Sequence, residues 1–434
     1  MNRVRTQVLV VGGGPAGTSA AWHCAQLGLD VLLLDRAQFP RRKACAEYVS
    51  PGAARILESM GVLSAITQQA PTLRGMTVHA PNGVRIQGRF GSAPNKEGSA
   101  EIGFGVRREL LDALLLDRAR ATGVEVREGV TVDQILMDNG VVVGVTTRST
   151  AQDRMTDAPQ EIRADIVIGA DGLRSVVARR LKLAHTARWP RRYAFVAHYR
   201  HVANMGDVGE MHVLGDTRAQ KRAQKRAQSG AHARTHAGYV GLARVSDDVT
   251  NVALVVPAHH ARTAAGRPQA FLDEWLAAHP ELSPRMQYAT RVSDVQTTGP
   301  FASHARRPWA PGALLTGDAA DFFDPFTGEG IQSALIGGEL LAPHALHAIR
   351  STSRSSHAEA LRQYAQTRRQ AFAGKWRIEH LIGVAVAFPA LLNYAARVLS
   401  RDPHLADLLV GATGGVIPPS AVLRPATLWR FLTS

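Results

Sequence analysis

Three aspartates and a run of glycines carry the chemistry that can be read in this sequence. Gly12, Gly14 and Gly17 form Gly-x-Gly-x-x-Gly inside "QVLVVGGGPAGTSAA", and Asp35 closes "DVLLLD" 18 residues after Gly17. Each residue type suits a phosphate-rich ligand. Gly12 permits a tight turn, Gly14 lets the backbone approach a pyrophosphate, and Gly17 lets helix and strand pack closely. The free N–H groups and positive dipole end of the helix then face the phosphates. Asp35 can accept hydrogen bonds from both ribose hydroxyls. Strand, helix, second strand and acid are in register, so the spacing reads as a dinucleotide site rather than a glycine turn serving packing alone. Two further segments, "GADGLRS" (169–175) and "GDAADFFDPFTGEGI" (317–331), end buried strands with Asp171 and Asp318.

Other reactive side chains are few. Cys24 and Cys45 are the two cysteines. They give neither a disulfide framework nor a zinc-ligand spacing, which fits a reducing compartment, and no metal site is expected. Tyr239, His198 and His212 fall on alternating strands of the middle region. A lone strand histidine is most often a satisfied structural residue.

These residues need elements to position them. "QVLVVGGG", "TSAAWHCAQLG" and "DVLLLD" read as a βαβ unit. Residues 72–91 read as a hairpin with an Asn-Gly turn. "RRELLDALLLDRARATG" (107–123) reads as an amphipathic helix, and 164–172 and 312–318 as buried strands. Residues 190–300 alternate as antiparallel strands, and from 329 onward the pattern is mainly helical. The 434 residues, 45% of them hydrophobic, are ample for a large core and more than one domain. The apolar run before the glycines is only about five residues, too short for a secretory leader. Net charge is +15, and the tract 218–234 holds six of the basic residues and no acid. No aromatic residues interleave with those charges, so the tract reads as a solvated insertion and no nucleic-acid partner is expected.

The three glycine–aspartate segments, in this order, resemble the FAD-dependent oxidoreductases of the para-hydroxybenzoate hydroxylase fold, and within them the geranylgeranyl reductase family. "VVGGGPAGTSAA", "FPRRKACAEYVSPGA", "VRRELLDALLL", "GADGLRSVVARRL" and "GDAADFFDPFTGEGI" carry the resemblance, over roughly residues 5–350. It implies an α/β protein with three parts. A Rossmann-type FAD-binding domain is assembled from 1–72, 100–185 and 295–350. A substrate domain with an antiparallel sheet takes 73–99 and 186–294, and a helical C-terminal region takes 351–434. The resemblance implies non-covalent FAD, held by Gly12, Gly14, Ala16, Gly17 and Asp35 around the adenosine and diphosphate. It adds Arg108 on FAD, the backbone of Val132 on the adenine, Asp318 on the ribityl chain, and Asp171 ordering the loop near the pyrophosphate. Lys43 either helps hold the pyrophosphate or faces water. Ala44 and Cys45 lie along one side of the flavin ring, with Pro325, Gly328, Gly330 and Ile331 on the other. Gly328 and Gly330 are both expected to be free to take φ > 0. The helix beginning near Glu329 then aims its positive end at the flavin.

The reaction is harder to read. One nucleotide fingerprint is present, so NADH or NADPH is expected to visit as a transient electron donor. The reductases usually carry Tyr-x-Trp-x-Phe-Pro on a substrate-domain strand. Here "GYVGLARVSDDVTNVALVV" keeps Tyr239 without the Trp or Phe-Pro. That tips the sequence reading to a monooxygenase hydroxylating an aromatic, polyketide-derived or quinone-like lipophilic molecule. Reduction of C=C bonds in a prenyl chain is the alternative, and non-catalytic FAD binding or electron transfer the second. No Trp-x-Trp-x-Ile-Pro element is present, which sets halogenation aside. Cys45 and Tyr239 are the candidate catalytic residues. The reductases have Cys-Gly-Gly where this chain has Cys45-Ala46-Glu47, and Cys45 reads as a thiol or as a small residue packed on the ring. No obligate protein partner is read. Residues 380–399 are apolar but broken by Pro389, so they are expected to close the substrate cavity rather than span a membrane. A peripheral contact at the inner face of the membrane is the sharper reading: these helices in one leaflet, with Arg350, Arg354, Arg368, Arg369 and Lys375 on headgroups of an otherwise cytoplasmic protein.

Overall fold

The computed structural model describes residues 5–91, 101–149, 159–187, 189, 191–215 and 238–433. The basic tract 218–234 lies outside the described residues. The βαβ unit forms as read: β1 (Arg5–Val11), α1 (Pro15–Gln26) and β2 (Val31–Asp35). Helix α2 (Pro51–Ser59) follows, then the hairpin β3 (Gly75–His79) and β4 (Arg85–Arg89). Next come α3 (Arg108–Ala121), β5 (Glu125–Glu128), β6 (Val130–Asp138), β7 (Val141–Ser149), β8 (Gln160–Gly169) and α4 (Val176–Arg180).

The first sheet runs β13–β8–β1–β2–β5, with β13 (Ala313–Leu315) arriving from far downstream. These five strands pair in parallel, while β7 and β6 add antiparallel strands beside β8. Both faces are covered, which is why the strands read as continuous apolar runs. Val8, Val10, Leu33 and Ile168 face α1 and the late helices α7 (Gly330–Arg350) and α8 (Arg354–Ala387). Leu9, Val11, Leu32 and Val167 face β6, β7 and α4.

The second sheet is antiparallel at its centre: β9 (Arg192–Arg200), β12 (Val249–Pro257), β11 (Gly238–Arg244) and β10 (Gly209–Leu214). The hairpin β3–β4 joins its edge, with β3 parallel to β10. Alternation gives the sheet two apolar faces. One packs Phe195, Leu242 and Leu254 on α5 (Pro268–Ala278) through Phe271 and Trp275. The other packs Val196, Met211 and Val255 against α9 (Pro389–Arg401) and α10 (Pro403–Thr413). Helix α6 (Ser283–Met286) and the C-terminal α11 (Pro425–Thr433) complete the elements used below.

Candidate flavin site

The glycine loop forms as its spacing demands. Gly12 sits at φ +107°, and a Cβ there would lie 2.5 Å from the Ala170 carbonyl oxygen. A Cβ on Gly17 would lie 1.7 Å from the Gly12 carbonyl oxygen, so helix and strand could not approach with any larger residue. The third segment closes on the first: a Cβ on Gly317 would lie 2.6 Å from Cβ of Ala16. Asp35 accepts from the backbone N–H of Gly13 at 2.7 Å and of Ala37 at 2.8 Å. A carboxylate has about four lone-pair positions, which leaves capacity for ribose hydroxyls.

Helix α1 has Gly14 as its N-cap and no side-chain cap, so its first N–H groups are left without a capping acceptor in the space ahead of the helix. Two guanidinium groups flank that space. Arg41 Nη2 and Arg108 Nη2 lie 3.5 and 3.7 Å from where a Gly14 Cβ would be. Arg108 forms a fork with Asp112 at 2.8 and 2.7 Å, and Arg41 reaches the same carboxylate at 3.1 Å. Two cations share one acid, so the loop keeps a net positive charge beside a helix N-terminus. This is a fit for the diphosphate of FAD. Arg41, missed in the sequence, sits in "FPRRKACAEY" beside the residues that resemblance had singled out.

Asp171 accepts the Val176 N–H at the start of α4 at 2.5 Å. Val132 has its side chain in the core with Leu32 and Val142, so only its backbone is available to an adenine. Lys43 is exposed, with Nζ 3.5 Å from a Cβ position at Gly172. Asp318 lies in a one-turn 3-10 helix, Gly317–Ala319, well ahead of α7, and among the described residues its carboxylate makes no hydrogen bond. It is therefore no cap of α7. Burial pushes its carboxyl up, while Lys43 and Arg108 oppose that.

Around Asp318 runs a polar cleft lined by Asp321, Asp324, Arg368, Lys375, Trp376 and Glu379. Four of these belong to α8, and Asp321 holds it. Asp321 pairs with Arg368 and accepts from Trp376 Nε1 at 2.8 Å. The Arg368 Nε and Nη1 and the Ser333 hydroxyl are buried and without a partner, which fits a ligand rich in acceptors such as a flavin. Asp324 accepts from Tyr239 Oη at 2.6 Å and from Arg192 Nη1 at 2.7 Å. Lys375 pairs with Glu379 and also faces Glu329. One lysine cannot neutralise two buried acids, so burial pushes the Glu329 carboxyl up to about 8 and raises Glu379 as well.

The other wall departs from the glycines of the resembling proteins. Glu47 sits at φ +57°, the left-handed conformation a glycine would take without strain. Its buried carboxylate compensates through three hydrogen bonds: the Arg108 N–H at 2.9 Å, His198 Nε2 at 2.6 Å and Asn251 Nδ2 at 3.0 Å. Asn251 also donates to the Cys45 carbonyl at 3.0 Å, and Cys45 Sγ accepts from the Glu47 N–H at 3.3 Å. His198 and Asn251 thus fasten the Cys45 loop to the second sheet. Cys24 is fully buried in the core, and burial pushes its thiol up to about 12, which leaves it inert.

Several expectations need correction. Gly328 is left-handed at φ +72°, where a Cβ would lie 2.6 Å from the Tyr48 ring, but Gly330 is the first residue of α7 and has helical backbone. Ile331 has its side chain in the core with Val49 and Leu57, against which Cys45 also packs. Pro325 opens a one-turn helix capped by Asp324, as its stiffness suggested. Tyr239 is buried and committed to Asp324, a strut rather than a free acid. His212 lies on the opposite face of the sheet from Met211 and cannot cover the flavin. Arg368 and Lys375 face the cleft in ion pairs and are not available to headgroups.

The model of the family described as FAD binding domain matches residues 5–375. Digeranylgeranylglycerophospholipid reductase 2 of Methanopyrus kandleri is 29% identical over 430 residues, covering 98% of this chain and 98% of its own. The digeranylgeranylglycerophospholipid reductase of Methanothrix thermoacetophila is 31% identical over 348 residues, covering 78% of each chain. Among solved structures, a myxobacterial chondrochloren halogenase, FAD-dependent, is 22% identical with a TM-score of 0.74, over 86% of this chain and 81% of that one. The last likeness concerns the fold.

Proposed function

The chain belongs to the FAD-binding-domain family and, within it, to the geranylgeranyl reductase family, and from that premise we propose that this FAD-dependent oxidoreductase saturates C=C bonds in the prenyl chain of a lipid. The observation that carries the reading is the apolar layer between the second sheet and the C-terminal helices. Val196, Met211 and Val255 meet Val386, Leu392 and Ala406 there, and Ala44, Phe322 and Phe326 extend the layer to the flavin loops. A prenyl chain has no group to hydrogen-bond, so an apolar wall without orphaned donors is what can take it.

FAD, when bound, supplies hydride chemistry. Gly12, Gly14, Arg41 and Arg108 would hold its diphosphate, Asp35 a ribose and Asp318 the ribityl chain. Saturating a double bond also consumes a proton. The Glu329 carboxyl, pushed up to about 8 by burial and set near Lys375 and Glu379, is the proposed source of that proton. NADH or NADPH is the proposed donor of electrons. The hydroxylase reading stays second, because the strand carrying Tyr239 lacks the Trp and Phe-Pro of the reductases; the reductase names of the relatives favour the first. Incubating holoenzyme with a geranylgeranyl lipid and NADPH, followed by mass spectrometry, tests it: two hydrogens gained per double bond are expected. A gain of oxygen defeats the proposal.

A lipid substrate also raises the question of access. No single helix among the described residues is long and apolar enough to cross a membrane, and α8 and α9 are bent by 113°. Leu381, Phe388 and Leu391 are exposed around that bend, and Leu428 and Trp429 on α11. We read these as a peripheral membrane contact, with exposed Arg350, Arg354 and Arg369 in place of the buried pair. Co-sedimentation with anionic liposomes at low salt is expected. A wild-type protein that stays in the supernatant with both anionic and neutral lipid overturns this contact.

A further inference from the structure

His79 on β3 and His212 on β10 are register partners, so their side chains leave the sheet side by side. They leave on the face turned from the flavin, towards the loop that follows α5. Their rings stack with centroids 3.9 Å apart and planes 18° apart, and they are 8% and 1% exposed. Two carboxylates bracket the stack. On one edge Glu210 Oε2 lies 2.9 Å from His212 Nε2 and 3.8 Å from His79 Nε2. Arg285 holds Glu210 with contacts of 2.5 and 3.0 Å. On the other edge Glu281 Oε2 lies 2.9 Å from His79 Nδ1 and 3.4 Å from His212 Nδ1. Yet His79 Nδ1, His212 Nδ1 and Glu281 Oε2 are all buried atoms without a hydrogen-bond partner.

Three orphaned polar atoms converging on one point are unusual, because buried polar groups are nearly always satisfied. Their chemistry is also uniform. Glu210 accepts from His212 Nε2, which fixes that proton and leaves Nδ1 as a lone pair. His79 turns Nε2 towards the same Glu210 carboxylate, at 3.8 Å, and Nδ1 towards Glu281 Oε2, at 2.9 Å. Two imidazole lone pairs and a carboxylate oxygen face one another, and a cation is what satisfies all three at once.

We propose that His79 Nδ1, His212 Nδ1 and Glu281 Oε2 form a binding site for a divalent first-row transition ion of the zinc class. The Glu281 Oε2 separations from His79 Nδ1 and His212 Nδ1, 2.9 and 3.4 Å, fit: ligand atoms about 2.0–2.1 Å from a tetrahedral zinc stand roughly 3.3 Å apart. Two nitrogens and one carboxylate select zinc-class ions over magnesium or calcium, which prefer oxygen sets. The Glu210–Arg285 pair behind His212 is the outer support that orients a ligating imidazole. The Glu281 side chain is 37% exposed, so the ion has a way in and water can complete its coordination. On binding, the two rings swing out of their stack to aim both lone pairs at one point. The ion ties β3 and β10 to the loop between α5 and α6. It thereby braces, from behind, the sheet whose other face lines the apolar layer. Positions 79, 212 and 281 are too far apart in sequence for any metal spacing to be read.

The test uses tag-free holoprotein, stripped with chelator and dialysed against zinc(II) or cobalt(II) alone. About one ion per chain is expected by elemental mass spectrometry. Cobalt(II) is expected to add ligand-field bands to the red of the flavin absorption, and zinc to raise the thermal midpoint. Glu281→Gln and His79→Gln should each weaken binding by roughly tenfold or more and abolish the thermal shift. FAD content controls for folding. If His79→Gln does not fold, the partly exposed Glu281→Gln decides alone. No retained ion in the wild type, no thermal shift with zinc, or equal retention by Glu281→Gln and wild type would each overturn the proposal.

Discussion

The nucleotide end of the flavin site and the ring end are built by different means. At the nucleotide end the backbone does the positioning: Gly12 at φ +107°, Gly17 under the Gly12 carbonyl, and Asp35 tied to the Gly13 N–H. The parts lie within one βαβ unit. At the ring end, side chains distant in sequence do the positioning. Arg192 and Tyr239 converge on Asp324, His198 and Asn251 on Glu47, and Arg368 and Trp376 on Asp321. The difference teaches that a ligand's constant part can be held by local geometry. The ring end is held by charge pairs brought together only by the fold.

Breaking the ring end should cost the most stability. Asp324→Ala leaves Arg192 buried without its counter-charge and Tyr239 Oη without an acceptor. Removing one partner of a buried ion pair costs about 3–5 kcal/mol, and denaturant unfolding of the apoprotein should show a loss of that order. A loss below about 1 kcal/mol, the range of an exposed pair, would mean the pair is not the strut described.

Asp318 sharpens the contrast. Among the described residues its carboxylate makes no hydrogen bond, so Asp318→Ala should leave apoprotein stability within about 0.5 kcal/mol of wild type. FAD affinity should fall by about 1–3 kcal/mol, roughly 5- to 150-fold in Kd. Calorimetric titration of apoprotein with FAD measures it. Unchanged affinity would remove Asp318 from the cofactor site.

The smallest expected effect is on pH dependence. The folded Glu329 carboxyl titrates near 8 because burial raises it from the ordinary 4.5. Between those values the folded state keeps a proton that the unfolded state has lost. Wild-type stability should therefore decline as pH rises from about 4.5 towards 8, with the favourable contribution fully present below that window. Glu329→Gln carries no such proton and should gain on wild type by roughly 1–2 kcal/mol at pH 8, with Glu379 sharing the proton and limiting the gain. Thermal midpoints of both apoproteins across pH check the sign. A constant difference at all pH values would place the retained proton elsewhere.

The same contrast explains what was legible in the sequence. The glycine loop, Asp35 and the two sheets were readable because turn geometry and apolar alternation are local. Arg108 was readable from the resemblance; Arg41 and the Arg108–Asp112 pair were missed, although the i,i+4 spacing of that pair on one helix is a local signal. Arg368 and Lys375 read as surface charges: Lys375 and Glu379 are a local i,i+4 pair, but nothing local reveals that α8 turns Arg368 onto Asp321 or Lys375 towards Glu329. Gly330 was misjudged because a glycine at a helix start needs no positive φ. The monooxygenase reading rested on a missing Trp and Phe-Pro, and absent residues say less than the apolar layer and the full-length relatives.

The most direct measurement is a single turnover without oxygen. Holoenzyme is reduced anaerobically until the flavin absorbance bleaches, and a geranylgeranyl lipid is added. The reductase account predicts that the flavin absorbance returns with lipid alone, and that the recovered lipid is heavier by two hydrogens for each flavin reoxidised. Flavin that stays bleached until oxygen is admitted, with a product that has gained an oxygen atom, would contradict it.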